Sequence, residues 1–319
     1  MSDMSKAMPT AESVEKMLSA ELAQADVILA TAQPILRHLL ANDEHTLFSD
    51  QVIARIRGMM LHLARQLLLG LARDAGIEDC DTYVQEREER LAVELLEDTA
   101  FLGHAHALTI EAQLADRLQQ RSGIDPVLSP LLQELTASED QDLAAAAMRC
   151  VAAQARFMQN QRRMELPLQE LPAELFHTAT RLLRTHAGDH AQVAKQLCDR
   201  LRDEYDESDR RIGQATRLLM AMGPKARRAL AVDHAGLSLF ATALSMASEQ
   251  ERDVVILSLG ENQCARLALS LRAAGLGQSA VEEQFLYLHP EITLPDGFDA
   301  VRAERAAALL AAAASEAAN

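Results

Sequence analysis

His62 has the surroundings of a reactive side chain. On a helix its neighbours at three, four and seven residues are Arg55, Gly58, Arg65, Gln66 and Leu69, a polar face opposite a Met/Leu stripe. Phosphotransfer uses an exposed imidazole as nucleophile and a nearby cation, here Arg65, to steady the phosphoryl oxygens. The run H-x-x-R-Q lacks the small residue that would let a response regulator dock close by. The plainer reading is a surface His on a basic stripe that pairs with the acidic segment 78–98.

A second candidate is the acidic run Asp199, Asp203, Glu204, Asp206, Glu207 and Asp209. Asp199 and Asp203 stand one helical turn apart, and Asp206 is expected to continue that face. Carboxylates so placed could hold Mg²⁺ against a diphosphate in a helical enzyme. Such enzymes line their cavities with aromatics, whereas aromatics are 3% of this chain and Trp is absent. Arg200, Arg202, Arg210 and Arg211 lie among the acids as partners at helical spacing, so a solvated, salt-bridged face is the preferred reading. No metal and no cofactor are expected.

His186-Ala-Gly-Asp-His190 with Cys198 has metal-ligand residue types, but Gly188 breaks the helix that would align them, and nothing resembles H-E-x-x-H. His104 and His106, two apart, would point to different sides of a helix and read as capping, loop or core residues. Met164, Met220, Met222 and Met246 read as core gap-fillers. The chain contains no G-x-G-x-x-G, P-loop or G-x-S-x-G motif.

The elements that must carry these residues are helices. Leu and Ala far outnumber Val and Ile, and hydrophobics make up 49% of 319 residues, enough for a full core of about two ordinary domains. The formal charge of −16 argues against a nucleic-acid binder or attachment to anionic lipid. No apolar run is long enough to span a bilayer, and Met1–Ala7 lacks a secretory h-region. Cys80, Cys150, Cys198 and Cys264 are scattered without a C-x-x-C, so a reducing, cytoplasmic setting is expected.

Periodicity predicts a frayed tail over 1–9 and then helices over 11–41 (with Pro34 kinking or splitting the first), 50–75, 78–98, 105–120, 127–135 and 139–163. Gly76 is a stop signal. Capping-box spacings at Ser138, Ser248 and Ser279 predict three helix starts, and Val254–Leu257 reads as a buried helix rather than a strand. The Ala-rich 301–318 reads as a last helix, exposed or lightly docked. Glu165-Leu-Pro-Leu-Gln-Glu-Leu-Pro172 cannot continue a helix, so 166–172 is expected to be a stiff elbow. It would join an N-terminal antiparallel bundle, 10–165, to an array of shorter helices, 173–319. Ala226–Leu230 with Ala235-Gly-Leu237 matches Ala265–Leu269 with Ala274-Gly-Leu276 at a constant offset, 226 to 265, which raises HEAT-like helix pairs as an alternative to chance.

Gln154-Ala-Arg-Phe157, Gln161-Arg-Arg-Met-Glu-Leu-Pro-Leu168, Glu170-Leu-Pro172 and Leu175-Phe176 resemble an alphaproteobacterial family of all-helical proteins, a domain of unknown function. Leu271-Arg-Ala-Ala-Gly-Leu276, Gln284-Phe-Leu286 and Leu288-His-Pro290 extend the resemblance, which covers about residues 140–295. It implies a helical fold and a bacterial cytoplasmic setting, and it transfers no active site. The expectation is therefore an all-α, non-catalytic interaction or regulatory protein that recognises another protein by helix-in-groove docking, with room for a homo-oligomer. Phosphotransfer through His62 and a Mg²⁺ enzyme using Asp199, Asp203 and Asp206 are the alternatives.

Overall fold

The structure is a computed structural model that describes residues 11–41 and 50–317. The expected tail over 1–9 lies outside them. The described residues form an all-α fold, with no strand among them. The first helices are α1 (Ala11–Ala41), α2 (Asp50–Asp74), α3 (Cys80–Gln85), α4 (Glu88–Glu97) and α5 (Thr99–Ser122). Next come α6 (Pro130–Thr136), α7 (Gln141–Arg163), α8 (Ala173–His186), α9 (Ala191–Glu204) and α10 (Arg211–Met222). The last are α11 (Val232–Ser248), α12 (Arg252–Ser258), α13 (Cys264–Ala273), α14 (Gln278–Leu288) and α15 (Ala303–Ala317).

Local chemistry explains the ends. Gly76, at φ +69°, closes α2 with paired bonds from its own N–H to Arg73 O and from Ile77 N–H to Ala72 O. The start of α7 is capped by Asp140, whose carboxylate accepts from the N–H groups of Asp142 and Leu143. Ser138 instead accepts from Asp140 N–H in the approach. The other two capping-box expectations also shift. Ser248 ends α11, α12 begins after Glu251, and α14 begins at Gln278 with Gly277 as its cap. Pro34 lies inside α1, which runs on past it. Gly103 lies within α5.

The chain divides into two compact units, and not at the expected elbow. One gathers the residues up to Ala32, Leu114–Gln133 and the residues from Met222 on; the other holds Gln33–Gln113 and Glu134–Ala221. The divisions fall within helices α1, α5, α6 and α10, while 166–172 lies wholly inside the second unit. Prolines end a helix, but they do not decide whether the run beyond, here with a 3₁₀ turn at Leu168–Glu170, is solvent linker or packed chain. Here Leu166, Leu168 and Leu171 are all buried.

In the first unit α11, α12, α13 and α14 pack on one another and α15 packs on α13, burying Ala306 and Leu310. The last helix is thus part of the core, more firmly docked than expected. Gln263 donates to Ala25 O at 2.7 Å, Arg266 pairs with Asp26, and Arg305 pairs with Glu15 at 2.9 Å. The beginning of α1 therefore belongs with the C-terminal helices rather than with an N-terminal bundle. The two similar segments differ in conformation: Ala226–Leu230 lies in the 3₁₀ turn Gly223–Leu230, whereas 265–269 lies in α13.

In the second unit α2 packs against α3, α4, α8 and α9. Its stripe of Ile56, Met59, Met60, Leu63, Leu67 and Leu71 is buried, as its three-and-four spacing predicts. Of the four methionines read as core, Met222 is buried while Met164, Met220 and Met246 are exposed, because methionine fits either face of a helix.

Candidate functional site

The structure gives His62 a structural partner. Its Nδ1 accepts from the backbone N–H of Leu166 at 3.1 Å and lies 3.0 Å from the Gln66 side-chain amide. Leu166 O lies 3.0 Å from the same nitrogen, so Nδ1 is enclosed by the Leu166 backbone and the Gln66 amide. One turn along α2, Gln66 donates to Leu166 O at 2.8 Å and accepts from Leu168 N–H at 3.1 Å. Together they bond backbone groups of the proline-flanked run that its own 3₁₀ turn, Leu168–Glu170, leaves unmatched. The ring is half-buried against this segment rather than free on a polar face. Arg65 is drawn to Asp81 at 3.4 Å and Glu88 at 3.7 Å, the acidic pairing expected for the stripe.

The same segment is held from its other side. Tyr205 Oη donates to Leu171 O at 2.8 Å, and Arg210 Nε donates to Glu170 O at 3.1 Å. Phe176 stacks on Tyr205 with ring centres 4.3 Å apart.

Asp199, Asp203 and Asp206 do not share a face. The helix carrying the first two ends at Glu204, Tyr205 is extended, and Asp206 accepts from Ser208 N–H at 2.8 Å to cap a 3₁₀ turn. Hydrogen bonds from Ser208 hold the Asp206 carboxyl below its usual range. Asp199 pairs with Arg202 at 3.2 Å, Arg200 with Asp74 at 2.6 Å and Arg217 with Asp209 at 2.9 Å. Among the described residues no three His, Cys, Asp or Glu side chains are placed to hold a metal ion.

His186, His190 and Cys198 likewise point to different partners. Gly188 takes φ +50°; His186 Nε2 meets Glu94 at 2.7 Å, and His190 lies edge-on to Tyr83. The Cys198 thiol donates to Thr180 O at 3.3 Å, and burial pushes its pKa up. His104 and His106 are both core residues of α5, and burial lowers His106 to about 4.

Sequence reasoning missed a buried charge centre in this unit. Arg211, read as part of a solvated face, is 3% exposed and forms a two-pronged ion pair with Glu111, itself 1% exposed. Gln154 Oε1 accepts from Arg211 Nη1 at 3.1 Å, the Phe157 ring lies 3.8 Å under the guanidinium, and Glu170 accepts from the Arg211 backbone N–H at 3.0 Å. One signal was available: Glu111 is the sole charged residue between Thr99 and Ala115. An isolated carboxylate on an apolar helix requires a buried partner. The cavity beside this centre, lined by His104, Phe157, Gln161, Leu166, Glu170 and Arg211 among others, measures about 20 Å³. That is room for about one water, against several hundred Å³ for a ligand pocket. The centre is therefore a strut.

A space large enough for a partner lies on the outside of the second unit. A groove of about 570 Å³ runs along α4 and α8, lined by Glu89, Arg90, Val93, Glu94, Glu97 and Leu182. Glu89, Val93 and Glu97 recur every four residues on one face of α4, and Val93 is 55% exposed. Arg90 leans along the helix to Glu94 at 3.6 Å. The arrangement is an apolar floor with an anionic rim. No helix among the described residues is long and apolar enough to cross a membrane. Comparison of the chain with models of protein families, with curated proteins and with solved structures gives no match.

Proposed function

We propose that the chain is a non-catalytic protein-interaction module whose α4/α8 groove receives a basic amphipathic helix. The observation carrying this reading is the exposed Val93 beside Leu182, flanked by Glu89, Glu94 and Glu97 at helical spacing. An incoming helix would set an apolar residue on Val93 and Leu182 and cations against the rim, the usual division between an anchoring core and a steering edge. Interaction is favoured over phosphotransfer because His62 Nδ1 faces the Leu166 backbone. A reducing cytoplasmic setting belongs to the same reading, supported by four cysteines that form no disulfide among the described residues.

Fluorescence polarisation with a labelled amphipathic peptide of Leu and Lys tests it on the full chain. Binding is expected, weakening as salt rises, and falling about tenfold in the double variant Glu89→Lys/Glu97→Lys. Equal affinity for both proteins overturns the proposal.

A further inference from the structure

The second unit carries, on another of its helices, the complement of its own groove. No Asp or Glu occurs between Asp142 and Glu165, so α7 is cationic in a chain of formal charge −16. Its buried side is Ala147, Cys150, Ala153, Gln154, Phe157, Met158 and Gln161. The opposite side presents Arg149, Arg156 and Arg163 at intervals of seven residues, all exposed, with Ala152 between the first two and Met148 63% exposed beside them. None of these three arginines has an ion-pair partner among the described residues. An acid three or four residues away would pair such an arginine within its own helix, and none stands at that spacing from Arg149, Arg156 or Arg163. A stripe that avoids such acids is fitted to carboxylates supplied from elsewhere.

We infer that the helix entering the α4/α8 groove is α7 of a second copy of this chain; this rests on the interaction reading above. The spacings agree. Arg149 and Arg156 are separated along their helix by about 10.5 Å, and Glu89 and Glu97 along theirs by about 12 Å. Seating the first pair on the second brings Ala152 over Val93, where a small side chain lets two helices close, and leaves Met148 at the edge to cover Leu182. Groove and stripe are different surfaces, so the contact is head-to-tail: each added copy leaves one groove and one stripe open, and association grows until a ring closes or dilution stops it.

Sedimentation velocity of the full chain, from micromolar to hundreds of micromolar, tests this. One triple and one double variant separate the surfaces: Arg149→Glu/Arg156→Glu/Arg163→Glu removes the stripe, and Glu89→Lys/Glu97→Lys removes the rim. Circular dichroism melts confirm that each is folded. The unmodified chain is expected to self-associate with rising concentration, and each variant alone to stay monomeric. An equimolar mixture should form a one-to-one dimer and nothing larger, since one intact groove then meets one intact stripe. A monomeric unmodified chain, or variants that associate as it does, overturns the inference. If in that case the Leu/Lys peptide still binds the groove, only self-recognition has failed; if the peptide does not bind either, the interaction reading falls with it.

Discussion

Arg211 and Glu111 meet in the interior of the second unit through two parallel bonds, Nη1 to Oε1 at 2.6 Å and Nη2 to Oε2 at 2.8 Å. The fork matches both carboxylate oxygens, and Gln154 and the Phe157 ring occupy the rest of the guanidinium. Removing one partner leaves an uncompensated buried charge. Glu111→Leu is therefore expected to destabilise by about 3–5 kcal/mol in chemical denaturation, while Glu111→Leu with Arg211→Met should recover most of that loss. Single and double variants of equal stability would show that the pair contributes nothing.

Gln66 is expected to hold the 165–172 run closed. In Gln66→Leu the carbonyl of Leu166 and the N–H of Leu168 lose their bonds to the side-chain amide. Each buried group left unmatched costs about 1–3 kcal/mol. The unmodified chain should resist limited proteolysis within 165–172, whereas Gln66→Leu should be cut there first. Rapid cleavage of the unmodified chain would show that the clasp does not form in solution.

Gly58 admits the left-handed end of α7. A Cβ at position 58 would stand 2.6 Å from Met164 Cβ and 3.3 Å from Met164 O, and Met164 itself is fixed at φ +58°. Ala for Gly in a helix normally stabilises by about 1 kcal/mol, but overpacking of this kind destabilises by about 1–3 kcal/mol. Gly58→Ala should lower the Tm. Gly70→Ala on the same helix meets only the flexible end of Leu197, at 3.3 Å, and should leave the Tm unchanged or raise it. If the two variants behave alike, close helix approach is not the reason for the glycine.

His106 makes stability fall in acid. Burial lowers its pKa from 6.5 to about 4, so the folded chain refuses a proton that the unfolded chain accepts. The stabilisation is complete above pH 6.5 and is lost progressively as the pH falls towards about 4, amounting to about 3 kcal/mol across that window. Denaturation of the unmodified chain and His106→Leu at a series of pH values should show the variant's curve flatter by that amount between the two limits. Parallel curves would mean that the ring titrates alike in both states.

The fold class and most helices were legible because they depend on local periodicity. Leu and Ala spacing marks the α2 stripe from Ile56 to Leu71, Gly76 closes that helix by its backbone conformation, and Val254–Leu257 lies in a helix although β-branched residues begin it. What could not be read was which polar side chain faces which part of the chain. His62 and Arg65 are neighbours on one helix, yet one turns to Leu166 and the other to Asp81 and Glu88. Arg210 and Arg211 look like the other arginines of an acidic run until Glu111, 100 residues earlier in the chain, is packed against one of them. Periodicity is a property of a few turns of backbone and is written in adjacent residues. A buried pair or a side-chain clasp is selected by the desolvation of groups distant in sequence, and that is decided only when the helices close on one another.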